Sequence, residues 1–374
     1  MRPIAIAGLL LALAGCPKGG EDVDPKVKAD GHYLAGQSAY LKGDFVTAQK
    51  EFEEVKALHP ADPRLNAAFG ELYLAQVKVP EAIAAFEAAT RGDPKRGTNW
   101  SRLGYLYQLK GEKEKARAAL EKALAANPKD YNALDSMADI HFSEGKVDEA
   151  VKALVLGSEV APDGPDYVLR AAVMLDKAKR SPDALPVLEA GVKRGLSSAA
   201  LSNELGDRYV QLGRFEDALA AYTTAAKLDS KDPSLWELVG EVQLKLGHHA
   251  EAEQAFRSSL AVKDRGVVHV ALARLCQTKK DAACVKKELE LALQTATGEE
   301  VRETMELAEL LASVDRKKDA LALLRSLSEE SEQKDNLPLH LRTAQLAKEL
   351  KDEVTVKAAC TRALSNGQAG VKCP

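Results

Sequence analysis

WSRLGYLYQLKGEKEKARAALEKALAANP, residues 100–128, reads as two short amphipathic helices joined by a tight turn at Gly111. Apolar residues fall at helical spacing on either side of that glycine, so each helix has one face to bury. The stretch is the template for nearly everything beyond residue 28, because its pattern returns every 34 residues.

Seven copies keep the register, beginning at residues 29, 63, 97, 131, 165, 199 and 233. The twentieth place of each holds the same residue: Ala48, Ala82, Ala116, Ala150, Ala184, Ala218 and Ala252. The eighth place is Gly36, Gly70, Gly104, Ala138, Ala172, Gly206 and Gly240; the twenty-fourth is Phe52, Phe86, Leu120, Leu154, Leu188, Tyr222 and Phe256. Small residues at places eight and twenty let the two helices of a repeat approach closely. Larger ones at places four, seven, eleven and twenty-four, which in the template are Trp100, Leu103, Tyr107 and Leu120, fill the space on either side. Gly43, Gly111, Gly145, Gly213 and Gly247 mark the turn between helices, where a left-handed residue ends the first helix. Pro60, Pro94, Pro128 and Pro162 stop the second helix of the first four repeats.

This pattern resembles the tetratricopeptide repeat, which runs W-x2-L-G-x2-Y, then A-x3-F, then P; the template departs only by Leu120 in place of Phe. The resemblance covers residues 29 to about 367. It implies an all-α fold, a right-handed superhelical solenoid of about ten helix-turn-helix repeats, each burying its faces on its neighbours. Repeats one to four occupy 29–164, an irregular fifth 165–198, and the sixth and seventh 199–265. Divergent repeats eight to ten, beginning near Gly266, Val301 and Leu337, occupy 266–367, and a tail follows at 368–374. The fifth repeat carries Lys179 at the turn, lacks the closing proline, and has Pro186 where it should kink the second helix. A flexible joint and a locally tolerated kink are both open readings.

The first residues, MRPIAIAGLLLALAGC, carry an address. Arg2 supplies a positive start, and Ile4 to Ala14 is an apolar run too short to span a bilayer, which needs about 20 residues. Leu13-Ala14-Gly15-Cys16 resembles the lipobox of bacterial lipoproteins, in which the cysteine is lipidated and becomes the new N-terminus. The resemblance implies a signal peptide over 1–15 and a lipid anchor on Cys16, made stable by more than one acyl chain. Pro17 follows Cys16 instead of the aspartate that retains such proteins at the inner membrane, so the expected place is the periplasmic face of the outer membrane. Residues 16–28 are rich in Pro, Gly and charge and are expected to form a lipidated tether.

Composition narrows the function. The chain is 45% hydrophobic and 29% charged with a net charge of -4, which gives no basic face for nucleic acid. There is no G-x-S-x-G, no phosphate-binding loop, no H-E-x-x-H and no dinucleotide fingerprint. No catalytic residue, cofactor, metal site or small-molecule substrate is expected. His248-His249 follows a turn glycine and reads as exposed polar turn. The repeats leave no segment over for a catalytic domain.

Beyond Cys16 the cysteines are Cys276, Cys284, Cys360 and Cys373. The first two fall on the two helices of repeat eight, a spacing that resembles the cross-linking pairs of secreted cysteine-rich helical-repeat proteins. Outside the inner membrane oxidation is permitted. The expected bridges are Cys276 with Cys284 and Cys360 with Cys373, the second holding the tail to the last helix; buried or free thiols are the alternative.

In the family the residues at places two, five, nine and twelve face the groove. Carried onto this chain, they are Tyr33, Gln37 and Tyr40 in repeat one, and Ser101, Tyr105 and Gln108 in repeat three. Repeat four offers Asp135, Asp139 and Phe142, and repeats six and seven offer Asn203, Asp207, Glu237 and Glu241. The Lys and Asn set that clamps a C-terminal carboxylate in chaperone-binding members is missing. The middle of the groove reads as acidic with occasional aromatics, suited to a basic or neutral polar segment, or else merely soluble. The expected function is a non-enzymatic, membrane-anchored scaffold that binds protein partners of the periplasm or outer membrane. The alternatives are a pilotin-like or barrel-assembly-like factor for an outer-membrane machine, whose known forms are shorter, and a regulator of a periplasmic cell-wall enzyme.

Overall fold

The computed structural model describes residues 24–295, 301–329, 336–365 and 373. The expected signal peptide, Cys16, the tether as far as residue 23 and all of the tail but Cys373 lie outside them. The described residues form twenty α-helices and no strand. They are α1 (Pro25–Leu41), α2 (Phe45–Leu58), α3 (Leu65–Ala75), α4 (Val79–Gly92), α5 (Gly97–Leu109), α6 (Lys113–Ala126), α7 (Tyr131–Ser143), α8 (Val147–Gly157), α9 (Gly164–Lys177) and α10 (Ser181–Lys193). There follow α11 (Ala199–Gln211), α12 (Phe215–Leu228), α13 (Pro233–Lys245), α14 (His249–Val262), α15 (Gly266–Thr278), α16 (Ala282–Thr295), α17 (Val301–Ser313), α18 (Lys317–Glu329), α19 (Leu337–Glu349) and α20 (Glu353–Ser365). Odd and even helices pair into ten hairpins, each closed by a three-residue turn. The protein is an all-α solenoid of helical repeats.

Local chemistry sets these boundaries. Asp44, Asp130, Ser198, Asp232 and Asn336 cap the following helix, each accepting a backbone N–H of its first turn. The middle residue of every turn has a left-handed backbone. It is glycine in five repeats, and Val77, Lys179, Lys280, Asp315 and Lys351 in the others, with φ between 58° and 63°. Lys179 is thus one of five such substitutions, not a peculiarity of repeat five. Pro60, Pro94 and Pro128 follow the helix ends by two residues, while α8 stops earlier, at Gly157.

The repeat core is built from the recurring places. All seven alanines at place twenty are fully buried. A Cβ on Gly36, Gly70 or Gly240 would come within 2.6 Å of the Phe52, Phe86 or Phe256 ring, so each glycine lies directly beneath its aromatic partner. Burying such a side chain contributes roughly 1.5–3 kcal/mol. The divergent repeats keep the same plan, with Ala273, Ala308 and Ala344 buried at place eight and Leu289 and Leu324 at place twenty-four.

Three differences from the sequence reading stand out. Helix α1 begins at Pro25, inside the stretch expected to be tether, because Asp24 caps it and proline is tolerated in the first turn. Helix α10 runs unbroken through Pro186 to Lys193. Trp100 is only half-buried: its indole N–H donates to the Pro94 carbonyl at 2.8 Å, and the Lys122 ammonium sits 4.1 Å from the ring centroid. The chain divides between Ser181 and Pro182 into two compact blocks.

Candidate partner-binding groove

In the first block, residues of α1, α3, the start of α5 and the start of α7 line a cleft of about 440 Å³. Phe52 and Phe86 form its floor with Ala67 and Ala68; Tyr33, Gln37 and Tyr40 of α1 line one side. Arg96, Thr98, Asn99, Ser101 and Arg102 around the start of α5 line the other, with Asp130 and Asn132 beyond. The sequence reading placed Tyr33, Gln37, Tyr40 and Ser101 here, and the structure brings all four to one cleft.

The tyrosines are fixed by their neighbours. Gln37 donates to the Tyr33 hydroxyl at 3.2 Å, and the Arg64 guanidinium lies 4.2 Å over the Tyr33 ring. Arg64 is in turn held by Asp30 at 2.6 Å and by Asp62, whose carboxyl the Arg64 hydrogen bonds pull down to about 2. Tyr33, Phe52, Phe69 and Tyr73 form a chain of rings with centroids 5.8 to 5.9 Å apart. Burial raises the phenol pKa of both Tyr33 and Tyr40, so both remain hydrogen-bond donors at neutral pH. Arg96 is exposed and has no carboxylate within ion-pair distance among the described residues. It is the open cation of the cleft, since Arg102 is bound to Glu71 at 2.7 Å.

The other expected groove residues lie outside this cleft. Tyr105 is 41% exposed on α5, and Gln108 lies one turn further along the same helix. Phe142 is half-buried near the end of α7. Asp135 and Asp139 are both paired with Arg170 of α9. In the second block, Asp207 of α11 accepts the Tyr222 hydroxyl at 2.6 Å; burial and this bond push that phenol well above its usual range. Glu237 of α13 accepts from Ser259 and Arg265, each at 2.9 Å, while burial raises its carboxyl. Glu241 is exposed, and Asn203 Oδ1 is buried with no donor among the described residues.

Most of the acids expected to line the groove are therefore engaged within the chain. Asp135 and Asp139 share the single charge of Arg170, Glu237 pairs with Arg265, Asp207 is engaged by a hydroxyl, and Glu241 stays exposed. Arg64, Arg96, Arg102, Arg170 and Arg265 were missed. A signal did exist for two of them: Arg102 and Arg170 stand at place six, one repeat after an acid at place nine.

The cysteines close two bridges, Cys276–Cys284 between α15 and α16, and Cys360–Cys373 from α20. Among the described residues no group of His, Cys, Asp and Glu could hold a metal ion, and no helix is long and apolar enough to cross a membrane. Nothing in this arrangement points to catalysis.

A family model described as tetratricopeptide repeat matches residues 33–97 and 203–265, and a second of the same description matches 110–173. Together they cover just over half of the chain. A mouse protein named Superkiller complex protein 3 is 28% identical over 230 residues, covering 56% of this chain and 14% of its own length. The peroxisomal targeting signal receptor of Kluyveromyces lactis is 26% identical over 236 residues, 60% of this chain and 40% of that one. The chain thus spans less than half the length of these relatives. A solved tetratricopeptide repeat protein from Parabacteroides merdae, 18% identical, covers 71% of this chain and 99% of its own, with a TM-score of 0.41.

Proposed function

Because this chain belongs to the tetratricopeptide-repeat proteins, we propose that it is a non-enzymatic scaffold, anchored by lipid at Cys16 to the periplasmic face of a bacterial outer membrane, that holds a segment of an envelope protein in its first-block cleft. The cleft carries this reading. It joins an apolar floor to two half-buried tyrosines, several side-chain amides and hydroxyls, and, at the N-cap of α5, one unpaired guanidinium. Such a mixture suits an extended peptide: aromatic walls supply contact area, and the amides and hydroxyls bond its backbone. The sequence match to a protein named as a receptor for a targeting signal accords with capture of a peptide. The address rests on the run from Arg2 to Cys16.

With most of its acids held internally, the groove selects a polar segment bearing a negative charge for Arg96, where the sequence alone suggested a basic or neutral polar one. The test is site-specific photocrosslinking from Gln37 in cells making the full chain. A single dominant crosslinked envelope protein, lost when Tyr33→Ala and Arg96→Glu are combined, is the expected result. A secretin or barrel protein would assign it to assembly, and a cell-wall enzyme to regulation. Crosslinking unchanged by the double substitution would remove the cleft from the mechanism. For the anchor, Cys16→Ser should release the protein from membranes, and tight attachment of that variant would refute it.

A further inference from the structure

At two joints between repeats a tyrosine at place eleven bonds a glutamate of the preceding repeat. Tyr107 donates to Glu87 of the preceding repeat at 2.6 Å, and Tyr209 donates to Glu189 at 2.9 Å. At the second joint Arg214, from the turn after α11, lies 4.5 Å over the Tyr209 ring and also pairs with Glu189 at 3.6 Å. The phenol thus occupies a socket made by a glutamate, an arginine and the apolar side of a helix.

The joint between repeats eight and nine has the socket without the ring. Glu290 and Arg316 stand at the places of Glu189 and Arg214 and bond each other at 2.8 Å. Place eleven is Leu311, fully buried and with no hydroxyl to offer Glu290. What is left is a cleft of about 520 Å³, walled by Val285, Leu289 and Val314 and edged by Lys280, Lys286 and Arg316. Its size lies within the roughly 300–1,000 Å³ of ordinary ligand sites. Neither Lys280 nor Lys286 has an ion-pair partner among the described residues. The Cys276–Cys284 bridge ties the turn that carries Lys280 to α16 and so fixes one wall.

We propose that this cleft receives, from a partner protein, an aromatic side chain like those that the chain itself supplies at the Tyr107 and Tyr209 joints. The partner segment carries a tyrosine or phenylalanine flanked by acidic residues. The ring sits on Val285 and Leu289 under Arg316, a stacking arrangement that favours aromatic over aliphatic groups. Its acidic neighbours meet Lys280 and Lys286. This site lies in the second block and is independent of the first-block cleft.

The test measures binding of a fluorescein-labelled pentapeptide, tyrosine between two acidic residues, to the oxidised mature chain by anisotropy. Replacing the tyrosine by alanine, or the acids by lysines, should each weaken binding at least tenfold. Leu311→Tyr supplies the ring from within and should abolish binding. Val314→Trp, at a partly exposed position, blocks the mouth and decides the matter if the buried substitution fails to fold. Lys286→Glu should shift preference towards the lysine-flanked peptide. Equal binding of the tyrosine and alanine peptides, or binding unchanged by Val314→Trp in a chain of normal helicity, would overturn the proposal.

Discussion

Arg170 reaches back one repeat to Asp139, with 2.8 Å between Nη2 and Oδ1. The same step joins Arg102 to Glu71 at 2.7 Å and Arg342 to Glu309 at 2.7 Å, and its mirror joins Arg274 to Glu306 at 3.4 Å. These pairs form rungs between successive first helices, at places six and nine. They hold neighbouring repeats in register and remove charge from the faces that would otherwise read as acidic.

Both ends of the Arg170–Asp139 rung are more than a third exposed, at 39% and 43%, so solvent and salt screen it. Arg170→Ala should therefore destabilise by no more than about 1 kcal/mol at low salt, and by less at 1 M. Urea titrations at the two ionic strengths check this. A loss several times larger that ignores salt would mean the rung is not a surface pair.

Val77 holds a φ of 61° in the turn between α3 and α4 while 81% exposed. A β-branched residue is poorly suited to that conformation, which costs roughly 1–2 kcal/mol for L-residues, and this one has almost no packing to lose. Glycine removes the strain but adds about 0.4–1 kcal/mol of unfolded-state entropy. Val77→Gly should thus stabilise the protein by about 0.5–1 kcal/mol, visible as a higher melting temperature. A lower one would show that the turn is not strained.

What the sequence revealed follows from this contrast. The alanines at place twenty and the glycine–aromatic pairs were legible because burial and close approach restrict the residue type, and register makes the restriction repeat. The left-handed turn at Val77 was not, since nothing in a valine announces a positive φ. Arg170 escaped because its partners lie 31 and 35 residues back, beyond any local pattern, and Asp135 and Asp139 then read as free charge. The repeat eight–nine cleft was hidden for a related reason. Leu311 fits the apolar period well, and only comparison with Tyr107 and Tyr209 in space shows what it leaves empty.

Tyr222 lies directly over Gly206, where any added Cβ would meet its ring. Alanine gains about 1 kcal/mol of helix propensity over glycine, but overpacking costs about 1–3 kcal/mol, so the steric effect wins. Gly206→Ala should lower stability by about 1 kcal/mol. Repeat four already pairs Ala138 with Leu154, both fully buried. Gly206→Ala combined with Tyr222→Leu should therefore lose less than the sum of the single losses, a coupling that a double-mutant cycle in urea measures. Strict additivity would show that the two side chains do not compete for the same space.

Asp62 is held near 2 chiefly by the Arg64 hydrogen bonds, against a usual carboxylate value of about 4. A carboxyl with a depressed folded-state pKa binds its proton more readily when unfolded. Its stabilisation is full above about pH 4 and is lost as the pH falls towards 2. Asp62→Asn should weaken the protein at pH 7 and flatten its acid limb across that window. Denaturant midpoints from pH 7 to 2 report both effects, and parallel curves for the two proteins would contradict the assignment.

The Cys276–Cys284 bridge should act locally, because in a stacked array each repeat is stabilised by its own contacts and its neighbours'. Closing so short a loop contributes about 2–3 kcal/mol in the chain-entropy model. Paired Cys276→Ser and Cys284→Ser substitutions should speed amide exchange in α15 and α16 by roughly thirty- to a hundred-and-fiftyfold, as that energy implies, and more weakly in α14 and α17. Exchange in α1 to α8, many repeats away, should be unchanged. Hydrogen-exchange mass spectrometry resolves these segments, and uniform acceleration along the chain would mean that the array unfolds as one cooperative body.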